Sequence, residues 1–486
     1  MAQPYKGPLE RIDDTSWRIP KSYKANMHVD GIIYADDVLI EAVKQDQSPE
    51  QVANVATLPG IVGNSLAMPD IHWGYGFCIG GVAATDPKQG GVISPGGVGY
   101  DINCGVRLLS TNLTLEDVQP RIEELVEKLF KTVPCGVGRG GVIKFSKKEL
   151  QRIMLDGSHY VVDRGFGWRG DVEMTEAGGR IEGARPDFVS PRATERGHDQ
   201  CGTLGSGNHF LEIQVVERVD DAQAAEAMGL ALGSVAVAIH SGSRGLGYQV
   251  CDDAIKELRN APRKYGIDLP DRQLVCAPVD SSEGQRYLGA MRAAANFAWA
   301  NRQIMTHLVR QAFSEFFGMP VERMELSLIY DVAHNIAKME SYEVGGKMTE
   351  LCVHRKGATR AFPAGHPELP DRYKSIGQPV LVPGDMGRSS FVLVGRPNAM
   401  EKTFGSCCHG AGRLMSRKAA INAARGRSIK RELLDRGVVA KARGRTGLDE
   451  EQPEAYKDVI QVVDVLHAAD ISRRVAKLRP VGVIKG

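Results

Sequence analysis

The histidines of this 486-residue chain stand where chemistry could use them. His209 sits in the turn Gly205-Ser206-Gly207-Asn208-His209-Phe210, which opens into Leu211-Glu212-Ile213. His240 closes the apolar run Val235-Ala236-Val237-Ala238-Ile239 and shares a face with Ala236 and Ala238, small residues that leave room for an imidazole. His334 closes Ser327-Leu328-Ile329-Tyr330-Asp331-Val332-Ala333 in the same way. Each of these last two precedes a polar turn, so a rim of converging side chains is expected. Asp101-Ile102-Asn103-Cys104 adds a carboxylate and a thiol three residues apart, in a turn that enters a strand. Carboxylate, thiolate and imidazole are all metal ligands, and one Asp, one Cys and three His suffice for two metals if the thiolate bridges. Ligand softness alone points to zinc. The plainer alternative is three hydrogen-bonded core or turn histidines, and no CxxC or HExxH spacing argues against it.

A second constellation is Phe404-Gly405-Ser406-Cys407-Cys408-His409-Gly410-Ala411-Gly412-Arg413. Read as a Gly-rich loop opening a helix, it offers free backbone N–H groups to an anion. It has neither the Gly-Lys-Ser/Thr of a Walker A loop nor the strand context of a dinucleotide fingerprint. His409 inside it adds a group able to act as a nucleophile or acid–base at neutral pH. Arg413, Arg417, Lys418, Arg425, Arg427, Lys430, Arg431, Arg436, Lys441, Arg443 and Arg445 follow, opposed only by Glu432 and Asp435. This one-signed block carries +9 and leaves −7 for the rest of a chain whose net charge is +2. A solvated helical face would alternate in sign, so the block reads as a phosphate or nucleic-acid contact. Together these features indicate phosphoryl or nucleotidyl transfer on nucleic acid.

The elements that must position these residues are legible in outline. A long helix is expected from Ser281-Ser282, with Ser as cap, to Phe317 before Gly318-Met319-Pro320. Residues 116–133 read as one amphipathic helix and residues 413–435 as another. The first 65 residues read as a lead-in with one short helix after Asp36-Asp37, and residues 156–205 as an irregular surface segment. Strands and helices intermix without a βαβ rhythm, which favours an α+β fold. Glycine, 55 residues or about 11% against the usual ~7%, is spent on turns and close approaches. No apolar run reaches the ~18 residues of a membrane span, and no signal-peptide core follows the first residues. Nine scattered Cys argue against a disulfide framework and for a reducing cytoplasm.

Nearly end to end, these segments resemble the RtcB family of GTP-dependent RNA-splicing ligases. The resemblance runs through Met68-Pro69-Asp70-Ile71-His72-Trp73-Gly74-Tyr75-Gly76, the 101–107 turn, residues 205–212, His240-Ser241-Gly242-Ser243-Arg244-Gly245, residues 408–413 and the terminal Val483-Ile484-Lys485-Gly486. It implies one compact α+β domain over residues 1–486 that joins RNA 3′-phosphate or 2′,3′-cyclic phosphate ends to 5′-hydroxyl ends. It also implies two Mn²⁺ in place of zinc: Cys104 bridging, Asp101 and His209 completing one ion, His240 and His334 the other. His409 is implied as the nucleophile that takes GMP from GTP. Asn208, His209, Phe210, Leu211, Glu212, His334, Asn335, Pro383, Gly384, Asp385, Met386, Ser390, Gly410, Ala411, Gly412, Tyr456 and Lys485 are implied to form the nucleotide pocket. Within it Glu212 and Lys485 would read the guanine edge and Tyr456 would stack on the base.

Arg244, Arg413 and Arg417 are the expected holders of RNA phosphates, tRNA halves the expected RNA, and an archease-type protein a possible activator. Two residues depart from the family pattern. Asp385 stands where well-known members have Ser, and an acid near a triphosphate helps only if it binds metal or a ribose hydroxyl. Cys78 stands where Pro is usual. The Lys-x-Asp-Gly of lysine-nucleotidyl ligases is absent, since Met154 precedes Leu155-Asp156-Gly157. The rival readings are a GTP-independent dinuclear-metal phosphodiesterase, which leaves His409 and Lys485 unexplained, and a non-catalytic RNA-binding protein, which explains only the basic block.

Overall fold

The longest helix, Ser282–Phe317, begins and ends where its local sequence dictates. Ser281 Oγ accepts from the Gly284 backbone N–H, and Gly318 closes the last turn at φ 66°, a conformation that costs glycine no Cβ clash. In this computed structural model, which describes residues 3–136, 138 and 140–486, the helix is buried on nearly every side. It lies beneath an eight-stranded sheet and against the helices Ile122–Thr132, Lys147–Asp156, Ser158–Asp163 and Arg244–Glu257.

That sheet has the order Ser327–Ala333, Gly105–Thr114, Ser234–Ser241, Phe210–Val219, Ser472–Lys485, Ser390–Gly395, Pro379–Val382. Every one of these pairs is antiparallel; Val439–Ala442 joins Ser472–Lys485 in parallel. A second sheet of seven strands runs Glu10–Arg11, Ser16–Ile19, Gly31–Tyr34, Ile61–His72, Ile79–Thr85, Lys347–Lys356, Asn335–Val344. Only one residue, His334, separates strand Ser327–Ala333 of the first sheet from strand Asn335–Val344 of the second. A two-stranded piece, Ala358–Arg360 with Ser406–Cys408, carries the chain toward His409. Mixed helix and mostly antiparallel sheet is the expected α+β architecture; helical crossovers join parallel neighbours at Gly31–Tyr34 with Ile61–His72 and at Val439–Ala442 with Ser472–Lys485.

Several expectations are corrected. The first 65 residues are no lead-in, because three of the seven strands and two helices, Asp37–Val43 and Ser48–Val55, lie there. The 116–133 helix is broken: Leu115–Val118 gives way to a 3₁₀ turn holding Pro120 before Ile122–Thr132. Proline cannot donate within a continuing helix but suits a first turn. Residues 413–435 are two helices, Arg417–Ala423 and Ile429–Asp435, with Gly426 at φ 79° and Ser428 capping the second. Residues 156–205 are neither irregular nor wholly surface: helices Ser158–Asp163, Arg169–Glu173 and Pro191–Gly197 form there, and Asp171 and Glu176 are buried in ion pairs with Arg310 and Lys338.

Candidate active site

Antiparallel register brings the residues expected to ligate metal to one end of the eight-stranded sheet. Val106 and Phe210 both pair with His240, and Ala333 and Ser241 both pair with Gly105. Cys104, His209, His240 and His334 therefore cap four adjacent strands. Asn103, at φ 52°, turns the chain so that Cys104 N–H donates to Asp101 O at 2.9 Å. The long helix holds this turn from below. Arg302 donates to Asn103 O at 2.7 Å, to Ser241 O at 2.9 Å and to both oxygens of the buried Asp331.

Two triads share the thiol: Asp101, Cys104 and His209, and Cys104, His240 and His334. Cys104 Sγ lies 3.4 Å from His209 Nε2 and 3.3 Å from His240 Nε2, which is itself 3.3 Å from His334 Nε2. Leu204 O can only accept, so its 2.9 Å contact fixes the proton of His209 on Nδ1. The Nε2 lone pair then faces Asp101 Oδ2 at 2.8 Å. Burial holds His240 and His334 far below the usual imidazole value, hence neutral, and both Nδ1 atoms lack a partner among the described residues. Burial likewise pushes the Cys104 thiol well up. Lone pairs converging at such distances repel one another unless cations stand between them. The donor set therefore fits metal ions, and the shared thiol fits a bridging position.

The cluster forms one wall of a cleft of about 410 Å³, within the range of small-molecule sites. His409 stands on the opposite lip, its ring centroid 4.9 Å from that of His334. Asp70 Oδ2 accepts from His409 Nδ1 at 2.6 Å and from its backbone N–H at 3.0 Å. The Nε2 lone pair is thereby left free. The loop Gly410-Ala411-Gly412 leaves a strand, and helix Arg417–Ala423 begins only beyond it. The loop therefore does not open a helix as expected, and its backbone N–H groups alone are left to meet an anion. A Cβ on Gly412 would stand 2.2 Å from Asp70 O, which explains the glycine.

At one end of the cleft, Glu212, Ser390, Tyr456 and Lys485 come together. Gln214 Nε2 donates to Glu212 Oε2 at 2.8 Å and to Ser390 Oγ at 3.1 Å. Burial raises Glu212 to about 7 and lowers Lys485. Buried Glu451 ties this end together: it accepts from Tyr456 OH and from Arg413 Nη1, and Lys485 Nζ lies 3.8 Å away.

Most expected pocket residues line the cleft: Asn208, Phe210, Glu212, Asn335, residues 383–386, Ser390, residues 409–412, Tyr456 and Lys485, with Arg413 and Arg417. His209 reaches it only through the metal-ligating cluster. Leu211 does not line it; strand alternation turns its side chain into the core. Arg244 lies behind His209, with Nε donating to Thr203 Oγ1 at 3.2 Å. The Asp385 carboxylate pairs with Arg388 and accepts from Gly387 N–H at 3.0 Å. The sequence reading gave no role to Asp70, Glu451, Arg302 or Arg388. Only Asp70 carried a signal, as an acid within Met68-Pro69-Asp70-Ile71-His72.

Acids from elsewhere neutralise much of the basic block. Arg413 and Arg417 face Glu451, Arg427 and Arg436 face Glu454, Lys441 faces Glu127 and Arg445 faces Asp449. Arg417 remains open to solvent at the cleft mouth, its side chain 58% exposed.

Fold and cleft together define an α+β protein with a donor set fit for metal ions in the wall of a small-molecule-sized cleft. Sequence comparison is specific: the family model described as tRNA-splicing ligase RtcB matches residues 51–486, and the chain belongs to the RtcB family. It is 56% identical over 479 residues to the tRNA-splicing ligase RtcB of Thermococcus kodakarensis, with 99% of each chain covered. Identity to the tRNA-splicing ligase RtcB of Archaeoglobus fulgidus is 53% over 481 residues, again with 99% of each chain covered. The RNA-splicing ligase RtcB of Mycobacterium tuberculosis is 50% identical over 438 residues, 90% of this chain and all of that one. Among the described residues no helix is long and apolar enough to cross a membrane.

Proposed function

We propose that residues 1–486 form one catalytic domain that uses GTP to join RNA 3′-phosphate or 2′,3′-cyclic phosphate ends to 5′-hydroxyl ends. The observation that carries this reading is His409, its Nδ1 proton held by buried Asp70 and its Nε2 left unprotonated beside the shared-thiol cluster. A neutral imidazole nitrogen oriented by a carboxylate is a competent nucleophile at neutral pH.

His409 Nε2 attacks the α-phosphorus of GTP, forming an N–P bond while the bond to the β-phosphate oxygen breaks and pyrophosphate leaves. Asp70 stabilises the ring as it loses electron density. Backbone N–H groups of Gly410-Ala411-Gly412, with Asn208, meet the phosphates; Glu212 and Lys485 read the guanine edge, and Tyr456 stacks on it. Asp101, Cys104 and His209 would hold one Mn²⁺ and Cys104, His240 and His334 a second, and the bound ions would neutralise charge at the reacting phosphates.

An oxygen of the RNA 3′-phosphate then takes GMP from His409, breaking the N–P bond. Attack by the 5′-hydroxyl, with loss of its proton, forms the phosphodiester and expels GMP. A cyclic phosphate is first opened by water to a 3′-phosphate. Arg413 and Arg417, which line the cleft, hold RNA phosphates, whereas the expected contact from Arg244 is dropped because it lies behind His209. The RNA is a tRNA half in splicing or a broken strand in repair, the setting is the cytoplasm, and an archease-type protein is the activating partner.

The test is to incubate the protein with α-³²P-GTP and Mn²⁺, with and without archease, and look for label on the chain. Acid-labile label in wild type and none in His409→Ala is expected. Metal-loaded protein without label would replace this reading with a GTP-independent metallohydrolase.

A further inference from the structure

Beyond the metal-ligating cluster, the cleft ends opposite Tyr456 and Lys485 in Tyr75, Tyr100 and Lys356. Tyr100 adjoins Asp101, so it stands beside the reacting centre. Its ring stacks on that of Tyr248, with centroids 4.8 Å apart and planes 26° apart. Tyr75 meets Tyr100 edge-on at 5.7 Å. The three rings form a ladder that leaves the cleft floor and emerges at Tyr248, which is 46% exposed. Tyr248 lies one turn beyond Arg244 on helix Arg244–Glu257, a spacing that puts both on one face. The Arg196 guanidinium lies 5.0 Å from the Tyr248 ring centroid.

The ladder borders the main core, against which Tyr100 packs, but does not fill it. Among the described residues nothing hydrogen-bonds the phenol oxygens of Tyr75, Tyr100 or Tyr248, and Tyr75 and Tyr100 are only partly covered. Lys356 Nζ donates to Tyr75 O and Phe77 O, so the backbone under the first ring is pinned. Of the nearby acids, Asp252 is neutralised by Lys256 and accepts from Gln249, while Asp253 keeps its charge and accepts from Ser190 and Gln249.

We propose that Tyr75, Tyr100 and Tyr248 form a stacking platform for the unpaired nucleotides next to the RNA end under repair. The inference rests on the proposed reading, since it needs GTP at the Tyr456 end and an RNA end at the metal-ligating cluster. With the nucleotide at one end of the cleft, the strand must leave by the other, and the ladder lies on that exit. Planar rings accept every base through its π-face, so the platform binds unpaired ends with little regard to sequence. Arg196 adds a cation beside the outermost ring for a backbone phosphate.

The experiment measures binding of a fluorescein-labelled single-stranded RNA with a 3′-phosphate to the full-length, Mn²⁺-loaded protein. Wild type, Tyr248→Ala and Tyr248→Phe are compared, with thermal melting to establish that each is folded. Tyr248→Ala is expected to weaken binding roughly five- to a hundredfold, whereas Tyr248→Phe, which keeps the ring, stays close to wild type. Blunt duplex RNA, whose bases are already stacked, should show no dependence on the residue. Equal affinity of Tyr248→Ala and wild type, an equal loss in Tyr248→Phe, or an equal loss for duplex RNA would each overturn the platform. Self-labelling of wild type by GTP tests the nucleotide reading separately. A protein that fails to label, yet binds RNA through Tyr248, would keep the platform and lose the GTP chemistry.

Discussion

Asp70 Oδ2 accepts two hydrogen bonds from His409, one from Nδ1 at 2.6 Å and one from the backbone N–H at 3.0 Å. The partners are 339 residues apart in sequence. A single buried carboxylate thus fixes both the ring and the main chain of the proposed nucleophile. Asp70 also reaches the neighbouring motif, because His72 Nδ1 bonds to its backbone oxygen at 2.9 Å.

Asp70→Asn keeps the shape but removes the charge that holds the Nδ1 proton and stabilises a cationic ring. Self-guanylylation is expected to slow by about 10²- to 10⁴-fold, with metal content unchanged. Quenched-flow labelling with GTP, read beside metal analysis, checks it. A variant that labels at the wild-type rate would remove Asp70 from the mechanism.

Removing the shared ligand should differ from removing a private one. Cys104→Ala is expected to weaken both metal sites by more than tenfold, whereas His209→Ala weakens only the site it shares with Asp101. Titration with Mn²⁺ under electron paramagnetic resonance counts the ions bound. Loss of a single ion in Cys104→Ala would show that the thiol does not bridge.

Arg302 acts on the cluster from behind. Its guanidinium pairs with fully buried Asp331, which also accepts from Arg107 Nε at 2.7 Å. Arg302→Met leaves a buried charge short of a partner and frees the Asn103 turn, for an expected loss of about 3–5 kcal/mol in stability. Denaturant unfolding measures this. Mn²⁺ affinity should fall with it, because Asn103 O and Ser241 O lose their common donor.

Glu212 gives the nucleotide step a pH signature. Burial raises its carboxyl to about 7, so below that pH it is neutral and loses the charge with which both oxygens would accept from the guanine N–H groups. GTP affinity is expected to rise by up to about tenfold per pH unit below the folded value and to level off above it. For the apo protein the sign is reversed. A raised carboxyl costs stability as pH climbs from the unfolded value toward about 7, where the folded chain holds a proton that the unfolded chain has released. Glu212→Gln should flatten the GTP profile between pH 6 and 8 and raise KM for GTP; a profile unchanged in the variant would assign the titration elsewhere.

Local sequence determined the elements whose signals are local. The Ser282–Phe317 helix begins and ends at its own cap and glycine, because those residues satisfy backbone groups within one turn. The ligand types were legible for the same reason, since Asp101 and Cys104 share one turn and His240 and His334 end their own strands.

What those residues face was decided at long range. Antiparallel register placed four strand ends side by side and made two triads from residues up to 233 positions apart, as the separation of Asp101 from His334 records. Asp70 could not be matched to His409 from either neighbourhood, because the bond joins two different sheets. The basic block shows the converse: its +9 was plain in the sequence, but Glu127, Glu451 and Glu454 approach it only once the chain has folded. Asp385 likewise read as a misplaced acid until Arg388, three residues on, turned back to meet it. The sequence by itself therefore determined which groups are available and where the chain turns. Tertiary structure decided their partners, since hydrogen bonds and lone-pair contacts fall off within a few ångströms, and only packing brings distant segments that close.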